Sequence, residues 1–291
     1  MFSLMRAARR GDTARLSSLL NTVDPNAKIN NFPYHGVTAL IMASTWGHVV
    51  CAEIIISKGA RVDEKDNLGT TALMHASRRG RTGCIALLIT KGADPNEKTK
   101  YGETALMIAS EEGHIECVRL LLSNGARINE KNESGVTALM RASCHGNFDC
   151  AELLITEGAR LDEQNENGWT ALMWAGRRSH IECVWLLIEN GADATTTRDN
   201  EGRTAIDHAF EEEVKDMMTR APQIRQDFLD RAGGPPTDAQ RVRELEARVK
   251  ALRAGLHRER EAVSRLQSIL ESERSAWSEQ LAEELAEAGK D

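Results

Sequence analysis

A short phrase recurs six times along the chain and constrains its architecture more than any other feature. In most copies it reads Thr-Ala-Leu-Met, then a variable residue, then Ala. The copies follow one another at 33 residues, and at 34 for the last step. A period of roughly 20–50 residues is typical of solenoids, whose units bury their apolar faces against one another. The threonines are Thr38, Thr71, Thr104, Thr137, Thr170 and Thr204.

Each copy of the phrase predicts two short helices. The threonine suits an N-cap, because its hydroxyl accepts a hydrogen bond from the first turn, and the glycine two residues earlier allows a tight turn. A second apolar stretch, such as Cys-Val-Arg-Leu-Leu-Leu from Cys117, follows in five units and ends at a Gly-Ala pair. Glycine just past a helix is a common C-cap. The unit is therefore a turn, a helix, a second helix and a return.

This pattern resembles the ankyrin repeat family, which combines a Gly-x-Thr turn, a Leu-containing first helix, a second helix with Leu-Leu, and Gly-Ala. The resemblance implies an all-α ankyrin-repeat solenoid of about seven helix-turn-helix units, followed here by a long C-terminal helix. The chain departs from the family in two positions. The proline after each threonine is Ala, and the histidine after the leucine is mostly Met. We expect burial of these methionines to replace the bond that the histidine would make.

The repeats suggest the following organisation. An ankyrin domain is predicted over 1–220, with a degenerate N-terminal cap at 2–35, full repeats over about 34–200 and a C-terminal cap at 201–220. A short helix is predicted at 221–232 and a Gly-Gly-Pro-Pro linker at 233–236.

Residues 237–287 predict a coiled-coil-like helix, because apolar residues from Val242 to Leu270 follow a heptad seam. Glu259 and Glu273 interrupt the seam, so a single solvated helix is the alternative. Arginines dominate the first half and glutamates the second, which favours antiparallel self-pairing or a different partner over a parallel homodimer.

Composition narrows the function classes. The net charge of −7 argues against nucleic-acid binding, and no apolar run is long enough to span a bilayer. The N-terminus begins a repeat directly, so we expect no signal peptide and a cytoplasmic, or possible nuclear, location. Five cysteines recur at one place in the second helix and should be buried, whereas Cys144 should lie near solvent. No catalytic or cofactor motif stands out, so we expect neither enzymatic activity nor a metal or cofactor.

Function is expected where the repeats differ from one another. In ankyrin proteins the variable positions of the first helix and the turn tips line a concave groove, so the resemblance places a protein-binding surface there. Aromatic residues are rare, yet most Trp and both Tyr fall on this face, and such side chains often anchor interfaces. The predicted binding residues are Trp169, Trp174, Arg177, Arg178, Arg141, His145, Glu111, Glu112, Arg78, Arg79, Trp46, Tyr34 and Tyr101.

The leading hypothesis is an intracellular adaptor or scaffold. Its groove would grip a partner segment, acidic or phosphorylated, and its C-terminal helix would join that partner to a second one or to another copy. Membrane insertion and nucleic-acid binding are not expected. One alternative is an assembly protein that acts through the C-terminal helix. Another is a substrate of asparaginyl hydroxylation, which the resemblance suggests at Asn96 or Asn129. Charge pairing between neighbouring units is the competing interpretation of the charged groove residues.

Overall fold

Paired helices repeat along the part of the chain that the structure describes, residues 2–29 and 36–220 of a computed structural model. The predictions for Tyr34 and for residues 221–291 lie outside this part. The helices are α1 (Phe2–Arg10), α2 (Thr13–Leu19), α3 (Ala39–Trp46), α4 (Val49–Ser57), α5 (Ala72–Arg78), α6 (Thr82–Thr90), α7 (Ala105–Glu111), α8 (Ile115–Ser123), α9 (Ala138–Cys144), α10 (Phe148–Thr156), α11 (Ala171–Arg177), α12 (Ile181–Glu189) and α13 (Ala205–His208). Residues 212–220 are also helical.

The helices form two layers. Odd-numbered helices pack against the next odd-numbered helix from α1 to α13, and even-numbered helices do the same from α2 to α12. No strand occurs among the described residues, which hold one isolated antiparallel bridge between Ile29 and Val37. The prediction of an all-α solenoid is confirmed for this region.

The threonine of the repeated phrase caps the first helix. In α3, α5, α7, α9 and α11 its side chain accepts a hydrogen bond from the backbone N–H three residues later, as Thr104 does from Met107. The cap satisfies one of the amides that a helix start leaves without a partner. The residue that replaces the family's histidine is buried in each of these helices: Ile41, Met74, Met107, Met140 and Met173 are about fully covered. The expected burial of the methionines is therefore confirmed.

Polar side chains connect successive units at the turn between the two helices. The Nε2 atoms of His48, His114 and His180 lie 3.0, 3.2 and 3.1 Å from carbonyl oxygens at the end of the preceding unit's first helix. Asn147 occupies the same position and donates to two such carbonyls, at 2.8 and 2.7 Å. These bonds satisfy helix-end carbonyls that have no partner within their own helix.

A row of lysines connects the units on the opposite loops. Each amine donates to a backbone carbonyl one unit ahead: Lys28 to Lys65, Lys65 to Lys98, Lys98 to Lys131, and Lys131 to Gln164. Each also pairs with a glutamate of that unit, as in the 2.6 Å contact between Lys98 and Glu130. The hydrogen bond from the lysine holds the pKa of Glu130 below its usual value. Each of the first four units is thus joined to the next one by a hydrogen bond and an ion pair from its lysine.

The buried cysteines lie where the sequence predicted. Cys51, Cys84, Cys117, Cys150 and Cys183 are buried and unpaired, and Cys144 is half-buried. Burial raises the pKa of Cys84 and Cys117 to about 11, and that of Cys150 and Cys183 to about 12. Because the thiolate is the reactive form, these thiols should be inert in the folded protein.

We therefore expect one thiol of the native protein to react quickly with a disulfide reagent that counts free thiols, and all six to react after unfolding in urea. Cys144→Ser should abolish the fast reaction, and Cys117→Ser should leave it unchanged. A fast phase that survives Cys144→Ser would show that a second thiol is accessible.

Ser179 has a left-handed backbone with φ 54, at a position where the five preceding units have glycine: Gly11, Gly47, Gly80, Gly113 and Gly146. This conformation costs a residue with a Cβ roughly 1–2 kcal/mol. Ser179→Gly should therefore stabilise the protein by about 1 kcal/mol, measured as a higher urea midpoint. Ser123→Gly, a control at the last residue of α8, should not stabilise it and should cost at most about 0.5–1 kcal/mol. A lower midpoint for Ser179→Gly would contradict the expectation.

Candidate partner-binding surface

The turn tips, which precede the first helix of each unit, form one part of the candidate surface. One side chain in each tip accepts hydrogen bonds from the backbone of its own turn. The first oxygen of Asp66 accepts bonds from the N–H groups of Leu68 and Thr70, both at 2.9 Å. Thr99, Asn132, Asn165 and Asp199 make the same pair of bonds in the following units. Such bonds from a side chain to its own turn fix the turn geometry.

Backbone bonds join neighbouring tips in a row. The N–H of Lys100 donates to Leu68 at 2.9 Å, and that of Glu133 donates to Tyr101 at 3.0 Å. Two more bonds continue the row to Asn200. The tips therefore hold their side chains at fixed spacing. Leu68 and Tyr101 occupy equivalent positions and are 51% and 60% exposed, so two apolar side chains stand side by side on this row.

An aromatic cluster lies at the last complete unit. The ring centroids of Trp169 and Trp174 are 4.5 Å apart, and those of Trp169 and His208 are 4.1 Å apart, all tilted by about 50°. Both Trp side chains are half-buried against the core. The structure thus brings together the two Trp residues predicted as anchors, but much of their area covers the repeats themselves.

The two arginines beside this cluster differ. The guanidinium of Arg177 lies 5.3 Å from the centre of the Trp169 ring and 5.4 Å from that of Phe210, which are cation–π distances. Arg178 is exposed and forms no ion pair with any described residue. Phe210 is 68% exposed and was not among the predicted binding residues, because it occupies a position where four other units have a buried serine.

A buried Asp–His hydrogen bond supports the cluster from below. The Nε2 atom of His208 lies 2.8 Å from Oδ2 of Asp199, and both side chains are almost fully buried. Burial alone would raise the pKa of Asp199. Bonds from the backbone of Arg203, from His208 and from the Arg203 side chain outweigh burial and lower the pKa to about 2. The same pairing occurs between Asp66 and His75, at 3.0 Å.

Charged groove residues in the middle units pair with one another. The Arg141 guanidinium contacts Glu103 at 2.5 Å and Glu111 at 3.2 Å, and His145 approaches Glu111 at 3.9 Å. Charge pairing between units, the competing interpretation, therefore accounts for Arg141, Glu111 and His145. Glu112 is exposed, without an ion pair among the described residues.

The first units present a different surface. Trp46 is 45% exposed, and the Arg9 guanidinium lies 4.8 Å from its ring centre. Arg78 and Arg79 are exposed in the next unit. Aligning α1 with the other first helices gives Arg9 and Arg10 the positions of Thr45 and Trp46. This alignment of the repeats could have predicted the contact between Arg9 and Trp46.

Comparison with protein families decides what these repeats are. The family model described as "Ankyrin repeats (3 copies)" matches residues 4–99, 84–165 and 139–219. The chain belongs to the ankyrin repeat family. No match was found among curated proteins.

Two solved ankyrin repeat structures resemble the chain. The human ASB11 ankyrin repeat domain is 28% identical, with a TM-score of 0.68, over 75% of this chain and 96% of that one. The ankyrin repeat domain of Bcl-3, a member of the IkappaB protein family, is 25% identical, with a TM-score of 0.65, over 75% of this chain and 97% of that one. Ankyrin repeats are generally protein–protein interaction modules, and this chain is built from such repeats.

Two asparagines of this ankyrin chain already have structural partners. Asn96 donates to the Gly125 carbonyl at 3.0 Å and accepts from the N–H of Arg127 at 2.8 Å. Asn129 makes the equivalent bonds to Gly158 and Arg160. Each carboxamide thus ties one repeat to the next. Hydroxylation at these residues stays a prediction, and an added oxygen in the intact mass of protein from native cells would reveal it.

Membrane-spanning helices and metal-binding clusters are both absent from residues 2–29 and 36–220. Within this range no helix has the length and apolar character to cross a membrane. The same range holds no group of three or more His, Cys, Asp or Glu side chains placed to bind a metal ion.

Proposed function

We propose that this ankyrin chain is an adaptor of the cytoplasm or nucleus. It binds a segment of a partner protein on the groove surface, defined as the turn tips and the variable positions of α1, α3, α5, α7, α9, α11 and α13. Residues 237–287 would join that partner to a second protein or to another copy. Binding, rather than catalysis, is the proposed activity.

The proposal rests on the contrast between the repeated, buried positions of each unit and the variable, exposed positions of the groove surface. Scaffold positions repeat from unit to unit and are buried, whereas the groove positions vary and expose apolar and cationic side chains. Trp46 and Tyr101 are 45% and 60% exposed, and Arg178 has no ion pair among the described residues. Trp, Tyr and Arg are enriched among the residues that dominate binding energy at interfaces. Five buried thiols without disulfides suit the reducing interior of a cell.

Capture from cell lysate with the full-length chain tests the groove. The groove variant combines Trp46→Ala, Tyr101→Ala and Arg178→Ala. The matched variant combines Val50→Ala, Arg119→Ala and Glu182→Ala, exposed residues on the second helices. Trp169 and Trp174 are left intact, because their half-buried rings also support the fold. We expect a set of partners that is retained by the matched variant and lost by the groove variant. Equal recovery by both variants would refute the proposed surface.

A second experiment tests the adaptor role. Removal of residues 237–291 should retain the partners that depend on the groove and remove a separate set, or abolish self-association measured by light scattering. If the shortened chain keeps every partner and the same mass in solution, the groove is the whole binding function and the adaptor role is wrong.

A further inference from the structure

The first three units carry an unusual arrangement of arginines around one exposed tryptophan. The last positions of α1, α3 and α5 are equivalent, and these helices pack in that order. They hold Arg9 and Arg10, then Thr45 and Trp46, then Arg78 and, just after α5, Arg79. All but Thr45 are exposed. Trp46 therefore stands between two arginine pairs that neighbouring units supply.

Three of these arginines differ from several others among the described residues. Arg61, Arg127, Arg141, Arg160 and Arg203 each lie within 4.0 Å of a carboxylate oxygen. In contrast, Arg10, Arg78 and Arg79 form no ion pair with any residue of 2–29 or 36–220. No acidic residue occurs in α1, α3 or α5. Arg10, Arg78 and Arg79 thus form a local cationic surface, without a paired carboxylate among the described residues, on a protein whose net charge is −7.

Trp46 gives this surface an apolar centre. Its ring is covered on one side by the Arg9 guanidinium at 4.8 Å, yet 45% of the residue stays exposed. A cation on a ring face orders both groups and leaves the remaining ring area available to a partner. Exposed Trp beside Arg is a combination that favours a protein segment with both an apolar residue and carboxylates.

The next unit limits the length of that segment. At the positions of Arg78 and Arg79, α7 and the residue after it have Glu111 and Glu112. Carboxylates of a partner would be repelled there, so the favourable surface spans three units. Helices pack roughly 8–10 Å apart, which gives about 20 Å, or about six extended residues at ~3.3 Å each. A long polyanion such as nucleic acid would extend onto the glutamates, so the arrangement favours a short acidic peptide.

We propose that Trp46, Arg10, Arg78 and Arg79 form a binding site for an acidic protein segment of about six to eight residues that carries an apolar or aromatic side chain near its middle. This inference deepens the proposed function and rests on it. It places the main partner contact in the first three units, away from the Trp169 cluster.

Selection from a displayed random octapeptide library, with the full-length chain as bait, tests the site. We expect enriched peptides to contain several Asp or Glu residues and a central apolar residue. The highest-ranking peptide, labelled with fluorescein, is then measured by anisotropy. Raising the salt concentration tenfold should weaken its binding, because exposed charges are screened. Failure to enrich any peptide, or enrichment of peptides without acidic residues, overturns the inference.

Charge-reversed variants locate the binding. Arg78→Glu with Arg79→Glu should raise the dissociation constant at least tenfold, and Trp46→Ala should do the same. Arg15→Glu with Arg119→Glu changes the net charge equally, away from this site, and should alter binding less than twofold. Arg78→Lys with Arg79→Lys should recover part of the affinity, because lysine keeps the charge without the bidentate geometry. Circular dichroism would first establish that all variants unfold at similar temperatures.

The outcomes separate this inference from the proposed function. If peptide binding depends on Tyr101 and Arg178 instead, the site is wrong while the groove surface stands. If a fluorescein-labelled 20-nucleotide thymidine strand binds more tightly than the peptide and depends on the same arginines, the site recognises nucleic acid and the inference is overturned. If no peptide is enriched but the groove variant still loses lysate partners, only the inference fails.

Discussion

Gly102→Ala is expected to lower the free energy of unfolding by about 3 kcal/mol. Gly102 has φ +76, and an added Cβ would lie 2.7 Å from the backbone nitrogen of Glu133 and 3.0 Å from the Cα of Asn132. Both contacts are with backbone, so the neighbouring tip must move and its bond from Glu133 to Tyr101 must weaken. The left-handed backbone adds its own cost. The shift of the urea midpoint, followed by circular dichroism, measures the loss.

Gly125→Ala is the matched control for this change. Gly125 also has a positive φ, +87, but an added Cβ there meets no described atom within 4 Å. It should therefore cost only the backbone term, about 1–2 kcal/mol. The difference between the two variants reports the contact between turn tips. Equal losses would show that the tips separate freely and that the bonded row does not stabilise the groove surface.

Asp199→Ala is expected to destabilise the protein by about 3 kcal/mol, since it removes a buried carboxylate that accepts hydrogen bonds from His208 and from two backbone N–H groups. The change leaves His208 buried beside Trp169 without its carboxylate, and the N–H groups of Glu201 and Arg203 without an acceptor. Asn165→Ala is the control, because Asn165 makes the same two turn bonds and has no histidine partner. It should cost about 1–2 kcal/mol. Equal losses for the two would mean that the His208 contact contributes nothing.

The same pair predicts a pH dependence. The pKa of Asp199 is about 2 in the folded protein against 3.8 for a free side chain. Because the folded pKa is the lower one, the contribution of this carboxylate is complete above pH 3.8 and is lost as the pH falls toward 2. The difference in urea midpoint between the wild type and Asp199→Ala should therefore narrow over that range. If the difference in urea midpoint does not change with pH, the ionised carboxylate of Asp199 is not what stabilises the wild type relative to Asp199→Ala.

Much of the fold followed from the sequence because it rests on contacts that recur. A threonine that caps a helix, a methionine that fills the core and a cysteine under a Leu pair need only the neighbouring unit, and that unit has the same composition. Period and residue type together therefore predicted the caps at Thr71 and Thr104, the burial of Met107 and Met140, and the exposed character of Cys144 relative to the other thiols.

The surface was harder to predict because it depends on which neighbour covers each side chain. Position within the repeat placed Trp169 and Trp174 on the groove surface, but it did not predict their mutual contact or the contact between Trp169 and His208. In the same way, the sequence showed alternating charge without showing that Arg141 reaches two glutamates of the preceding unit. Trp46 was only one of thirteen predicted groove residues, behind Trp169 and Trp174, although its exposure and its arginine neighbours distinguish it.

The lysine row has a consequence for the spacing of the two ends of the groove surface. Each of its bonds reaches one unit ahead and no further, so removal of a whole unit leaves the same kinds of bonds on either side of the cut. Deleting residues 100–132, for example, would give Thr99 the turn position of Asn132. Each unit removed would therefore bring Trp46 and Trp169 closer together by about 10 Å, while the neighbours of each residue stay the same. The deletion would change the affinity for a partner that contacts both ends of the groove surface. It would leave unchanged the affinity for a partner that contacts one end only.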